Sequence, residues 1–220
     1  MKANHNPVIV RMMKDNGLDA VTVSGYEILL ALKTGFMGSQ IFYNGVGKQR
    51  WEVEIAVANS CFLNVDSIFD AELISQVARE KEKVTQVCRN ESESFLVSQL
   101  FFLQVLLRLK PSISADVHPF LNTGFDSKFG ISEDDLRNVL SVLAQNSRII
   151  IVGIHVHIGS TVHDVSVYTD IHQYVKKIIA RDHDSFKHVK IINIGGGLAI
   201  DYSHQNKAPS PRCLKARLHI

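Results

Sequence analysis

An alternation of two kinds of segment constrains this sequence most. Short apolar runs are each followed by an amphipathic stretch of about ten to fifteen residues, and the unit recurs roughly every thirty residues. The pattern predicts a helix over 7–16 closed by Gly17, then a strand over 20–23. A helix over 26–33 follows, with Ile28, Leu29 and Leu32 on one face and Gly35 as its cap. Strand 41–43 ends at Asn44-Gly45, helix 51–58 comes next, strand 62–65 ends at Asp66-Ser67, and helix 71–82 closes the first half. The second half reads as strand 105–109, helix 133–144, strand 149–157, helix 165–180 and strand 189–194. Strands this apolar, separated by helices, are parallel and covered by those helices. A doubly wound sheet and a (β/α)8 barrel both fit, and the period does not choose between them. About six or seven units can be counted where a closed barrel needs eight, so the sheet is open or the barrel incomplete.

Composition narrows the partners. The 220 residues are 45% hydrophobic and 21% charged, as expected of a soluble globular α/β chain, and the formal charge is only +2. The basic residues are scattered, which argues against nucleic acid or an anionic membrane as a partner. Cys61, Cys88 and Cys213 form neither a CxxC pair nor a disulfide framework, which points to a reducing intracellular compartment. No apolar run reaches the roughly 18 residues needed to cross a bilayer, and the N-terminus has no signal-peptide h-region.

Two stretches break the period. Residues 84–104 stand where a short helix-to-strand turn is expected, and residues 203–220 show no clear helix or strand. The expected organisation is one α/β domain over 1–202, interrupted by an atypical insertion at 84–104, with a poorly ordered tail at 203–220.

Polar residues cluster after the strands, the end at which parallel α/β folds bind ligands. Gly195-Gly196-Gly197 after a buried strand lets backbone N–H groups approach an anion; it reads equally as a tight turn needing positive φ. His155 and His157 lie two apart and share a strand face. A two-histidine metal site lacks a matching third ligand, so no metal is expected. Either ring could be structural, or could lie flat on an aromatic ligand while Ser160 holds its phosphate. Arg108 inside an apolar strand requires a partner, whether a salt bridge or a ligand. Lys2 stands beside a small polar cluster, Ala3 to Asn6, yet a terminal lysine is usually just solvated. The loop from His118 to Gly130 is long and polar, with a functional loop or a solvated connection both open.

Taken in order, these segments resemble the diaminopimelate decarboxylases, of the fold class shared with alanine racemase and ornithine decarboxylase. Lys2-Ala3-Asn4 resembles the end of that family's Y-A-x-K-A-N strand. Val23-Ser24-Gly25 with Glu27 resembles its next strand end, Asn44-Gly45-Val46-Gly47-Lys48 its N-G-x-G-K, and Val65-Asp66-Ser67 its V-D-S. The most specific match is Leu106-Leu107-Arg108 with Pro111, His118-Pro119, Thr123-Gly124 and Ser127-Lys128-Phe129-Gly130-Ile131. Residues 155–160 resemble H-x-H-I-G-S, and residues 193–198 with Asp201-Tyr202 resemble N-I-G-G-G-L-G-x-D-Y.

The resemblance implies a (β/α)8 barrel and pyridoxal 5'-phosphate as cofactor. Lys2 would form the Schiff base, His157 would stack on the ring, and Ser160 with Gly195, Gly196 and Gly197 would hold the phosphate. Arg108 would place a positive charge near the ring. The implied reaction is decarboxylation of meso-diaminopimelate to L-lysine, in a homodimer with a shared site, in a soluble intracellular setting that is cytoplasmic by default and plastid if the source is photosynthetic. Against the family pattern, the first strand is truncated, and the eighth unit with its E-P-G-R motif and the C-terminal β domain have no counterpart. Substrate-binding residues would lie largely in those parts. The implied chain is a fragment, inactive alone and binding pyridoxal phosphate weakly or not at all, and its homodimer is doubtful. A translated intron would explain 84–104. Alternatives are a decarboxylase of ornithine, arginine or carboxynorspermidine, or a non-catalytic regulatory homologue.

Overall fold

The computed structural model describes residues 1–91, 102–113, 127–202, 208–210 and 212. The expected tail at 203–220 lies almost wholly outside these residues, as do Cys213 and the His118-Pro119 and Thr123-Gly124 motifs.

Helix α1 (Pro7–Asp15) starts where Asn6 accepts from the Val8 N–H and proline stands in the first turn. It ends in a Schellman turn: Leu18 N–H reaches the Met13 carbonyl and Gly17 N–H that of Lys14, with Gly17 at φ +78°. The same device closes α2 (Gly25–Lys33), where Phe36 and Gly35 donate to Ala31 and Leu32 and Gly35 is at φ +98°. The expected glycine stops are therefore real, each one residue past the cap. Ser24 caps the start of α2.

Strand β1 (Ala20–Thr22) precedes α2. Then come β2 (Ile41–Tyr43), α3 (Arg50–Ala58), β3 (Phe62–Val65) and α4 (Ile68–Glu91). The helix expected over 71–82 is thus longer at both ends. Residues 84–91, read from sequence as lacking a period, continue α4 for two further turns. Strand β4 (Leu103–Leu109) begins two residues earlier than expected, so Leu103 and Gln104 of the atypical stretch belong to the sheet. After it come α5 (Glu133–Ala144), β5 (Ile149–Val156), α6 (Val167–Arg181), a four-residue α7 (His183–Phe186) absent from the sequence reading, and β6 (Ile191–Asn193).

The strands stand in the sheet in chain order, β1 to β6. β1–β2, β2–β3 and β5–β6 pair in parallel. The chain forms two compact units, Met1–Leu106 with Arg137–Ile151, and Leu107–Leu136 with Val152–Ile220.

In the first unit Ile28, Ala31, Ile41, Val53, Ala56, Leu63, Val65, Ala71 and Ile74 are sealed between strands and helices. In the second, Ile154, Val156, Tyr168, Ile171, Val175 and Ile178 do the same. At about 25 cal/mol per Å² of apolar surface, this burial is the main force holding each helix to its strands.

Candidate functional site

In the second unit the register of β5 and β6 sets His155 opposite Asn193, so the segments leaving the two strands run side by side. A bridge between Val162 and Leu198 continues the pairing, with Val162 N–H on the Gly197 carbonyl and Ala199 N–H on that of Val162. The two motifs singled out from sequence, His157 to Ser160 and Gly195 to Gly197, are therefore in contact.

The contact is too close for side chains. A methyl on Gly195 (φ +73°) would come within 2.7 Å of His157 Nδ1, and one on Gly197 (φ +98°) within 1.9 Å of the Gly159 carbonyl. Gly196 faces open space. Gly195 N–H is taken by the Asn193 side chain at 2.9 Å. The N–H groups of Gly196 and Gly197 have no partner among the described residues. The tight-turn reading thus holds for Gly195 and Gly197: positive φ and the close approach of residues 157 and 159 force glycine at both. His157 is half-buried, Ser160 exposed beside the turn, and His155 buried.

Arg108, on β4, is buried, and its guanidinium lies 5.0 Å from the centroid of the Phe129 ring. The segment carrying Phe129 is fixed by Ile131, whose N–H reaches the Arg108 carbonyl and whose carbonyl takes the Lys110 N–H. The aromatic face is one partner the buried charge required.

The first unit holds Lys2. The Met1 ammonium donates to the Val21 carbonyl at 2.8 Å, which sets Lys2 next to the C-terminal end of β1; its side chain is exposed. Beside it the ends of β2 and β3 carry a polar cluster that sequence reasoning treated only as motif matches. Lys48 donates to Asp70 at 2.6 Å and to the Gly45 carbonyl at 2.5 Å. Asp70 also takes the Asp66 N–H. Glu52 accepts from Gly25 N–H, Gln49 N–H and the Tyr43 hydroxyl. Burial opposes the charge on Glu52, but these donors and the nearby Lys48 hold its carboxyl below the ordinary range; burial and then Glu52 push the Tyr43 phenol up. Asn64, buried inside an apolar strand, was missed; a polar residue at such a position was the available signal. Among the described residues no group of three or more histidine, cysteine, aspartate or glutamate side chains converges on a metal position, and no helix is long and apolar enough to cross a membrane.

The class is set by the family to which this arrangement corresponds. Residues 1–215 match the family described as pyridoxal-dependent decarboxylase, pyridoxal binding domain, and the chain belongs to that family. Within it the likeness runs to diaminopimelate decarboxylases. The chain is 32% identical over 213 residues to the enzyme of Bacteroides thetaiotaomicron, covering 96% of this chain and 50% of the relative. It is 35% identical over 218 residues to the "Probable diaminopimelate decarboxylase, chloroplastic" of Oryza sativa subsp. japonica, covering 96% and 40%. A crystal structure of a point mutant of diaminopimelate decarboxylase from Helicobacter pylori complexed with L-lysine superposes with a TM-score of 0.84 at 25% identity, covering 98% of this chain and 50% of that one. The chain spans about half the length of the relatives it matches. Its strands and helices are those of the (β/α)-barrel domain of such decarboxylases.

Proposed function

We propose that this chain is the pyridoxal-phosphate-binding part of a diaminopimelate decarboxylase, acting on meso-diaminopimelate to release CO2 and L-lysine. The observation that carries the reading is the glycine turn pressed against His157 and Gly159, with two N–H groups left without partners among the described residues. That turn fits a phosphate: it needs no side chain, admits none at Gly195 or Gly197, and offers donors in a concave backbone.

The roles follow residue by residue. Gly196 and Gly197 N–H groups and the Ser160 hydroxyl donate to the phosphate. His157 would pack its imidazole on one face of the ring and exclude water there. Arg108, held on Phe129, places a fixed positive charge near the ring. Lys2 would supply the amine that holds the cofactor's aldehyde, which requires the lysine to give up a proton. When bound, pyridoxal phosphate supplies an electron sink for the pair left behind by departing CO2. Pairing with a second copy would belong to the full-length protein, and the location proposed is cytoplasmic by default, or plastid if the source is photosynthetic, as the chloroplastic description of the rice relative supports.

Titrating the purified chain with pyridoxal phosphate tests the reading. Visible absorbance that builds up during the titration and is lost in Lys2→Ala is expected, at weak affinity. No change up to millimolar cofactor, or an identical signal from Lys2→Ala, would overturn it.

A further inference from the structure

The inward face of the first unit's strands carries an amide pair to which nothing above gives a role. Tyr43 reaches Glu52 of α3, so Tyr43 points to the helix layer, and its neighbours Phe42 and Asn44 occupy the opposite face of the strand. Phe42 pairs with Phe62 across β2 and β3, and their rings are stacked with centroids 4.6 Å apart and planes 9° from parallel. One step further along both chains, Asn64 Nδ2 donates to Asn44 Oδ1 at 2.8 Å. Asn64 is completely buried, while Asn44 is half-buried.

A buried amide on the same strand face as an aromatic pair is costly unless it serves a partner. Here it serves Asn44. By occupying Oδ1, Asn64 fixes which end of the Asn44 amide faces outward, and the outward end is the Nδ2 donor. That N–H2 group has no partner among the described residues. The Asn44 N–H is itself bonded to the Thr22 carbonyl at 2.8 Å, so its level in the sheet is set by β1. β1 is also the strand whose Val21 carbonyl holds the Met1 ammonium beside Lys2. Asn44 and Lys2 thus flank the same strand end, about two strand spacings or roughly 10 Å apart along the sheet. A lysine arm and a substituted pyridine ring fill such a span.

We infer that Asn44, oriented by Asn64, is a cofactor-binding donor that hydrogen-bonds the phenolic oxygen of the pyridoxal ring. The inference rests on the proposed function and deepens it. The phenolic oxygen is chosen because it sits on the ring carbon next to the one bearing the aldehyde that Lys2 anchors. Asn64 is then a positioning residue, acting through Asn44.

The test compares pyridoxal phosphate with its 3-deoxy analogue, which lacks that oxygen, by equilibrium binding to the whole chain. Asn44→Leu is expected to bind pyridoxal phosphate at least about tenfold more weakly, the loss of one hydrogen bond to a charged acceptor, and to bind the analogue as the unaltered chain does. Asn44→Asp keeps the bond from Asn64 and thereby the fold, and should lose at least as much toward pyridoxal phosphate. Asn64→Leu should fall between, again only toward pyridoxal phosphate. Equal losses for both cofactors, or no loss for either, would overturn the inference while leaving the proposed function standing, provided Lys2→Ala still abolishes the visible absorbance. Failure of the unaltered chain to bind either cofactor would remove both.

Discussion

Lys48 and Asp70 form a 2.6 Å salt bridge in which the lysine side chain is fully enclosed and the aspartate is 6% exposed. The lysine also holds the Gly45 carbonyl, and the aspartate also takes the Asp66 N–H. One ion pair therefore ties the loop after β2 to the first turn of α4 and, through Asp70, to the Asp66 N–H of the segment joining β3 to α4. Both charges have further hydrogen bonds, the condition under which a buried pair recovers its desolvation cost.

Removing one partner is expected to be far worse than removing both. Lys48→Met leaves Asp70 buried and uncompensated and should cost about 3–5 kcal/mol. Lys48→Met combined with Asp70→Leu should recover most of that loss. Urea unfolding followed by circular dichroism measures both, and a double variant no more stable than the single would show that the loop, rather than the charge, is what the pair protects.

Acid sensitivity should trace in part to Glu52. Its carboxyl is held below the ordinary range by three hydrogen bonds and Lys48. A depressed folded-state value means the unfolded chain binds the proton more readily. The stabilisation is thus fully present above the ordinary glutamate value of about 4.3 and disappears as pH falls through the folded value. Glu52→Gln is expected to be less stable at neutral pH and to show a flatter decline below about pH 4. Denaturant midpoints measured from pH 7 to pH 3 check the slope.

Cys61 behaves in the opposite sense at the alkaline end. Burial pushes its thiol up to about 11. The folded chain keeps a proton that the unfolded chain gives up near about 8.5, so stability should decline as pH rises past that value. In a chain with Cys88→Ser and Cys213→Ser, Cys61 should resist a thiol reagent at pH 8 until denaturant is added. Rapid labelling of the native protein would contradict the burial.

The three glycines should separate by position. Gly197→Ala meets the Gly159 carbonyl at 1.9 Å with φ at +98°, and should cost about 1–3 kcal/mol and disturb cofactor binding. Gly196→Ala faces open space without a positive φ, and its unfolding midpoint should move by less than about 0.5 kcal/mol. Its cofactor affinity nevertheless should fall, since the methyl stands where the phosphate would approach. Thermal unfolding with and without pyridoxal phosphate distinguishes the two outcomes.

Most of the fold was legible because it is written in local period. The helices and strands follow the apolar spacing to within a few residues, and Gly17 and Gly35 stop helices for a steric reason that is visible in the chain itself. The extension of α4 through Glu91 was not legible. Its last turns carry only Val84, Val87 and Cys88 at helical spacing among polar residues, too short a run to separate from a loop, and a helix already formed propagates by hydrogen bonds that any residue except proline supplies.

What the order of residues determined alone is the alternation of parallel strands and covering helices, and the motifs that stand after the strands. Which motifs touch was decided in three dimensions: strand register sets Gly195 against His157 and Asn44 against Asn64 across separations that no local pattern encodes. The same holds for the enclosure of Lys48 with Asp70, because the desolvation that gives a charge its consequence depends on what packs around it, and packing exists only once the chain has folded.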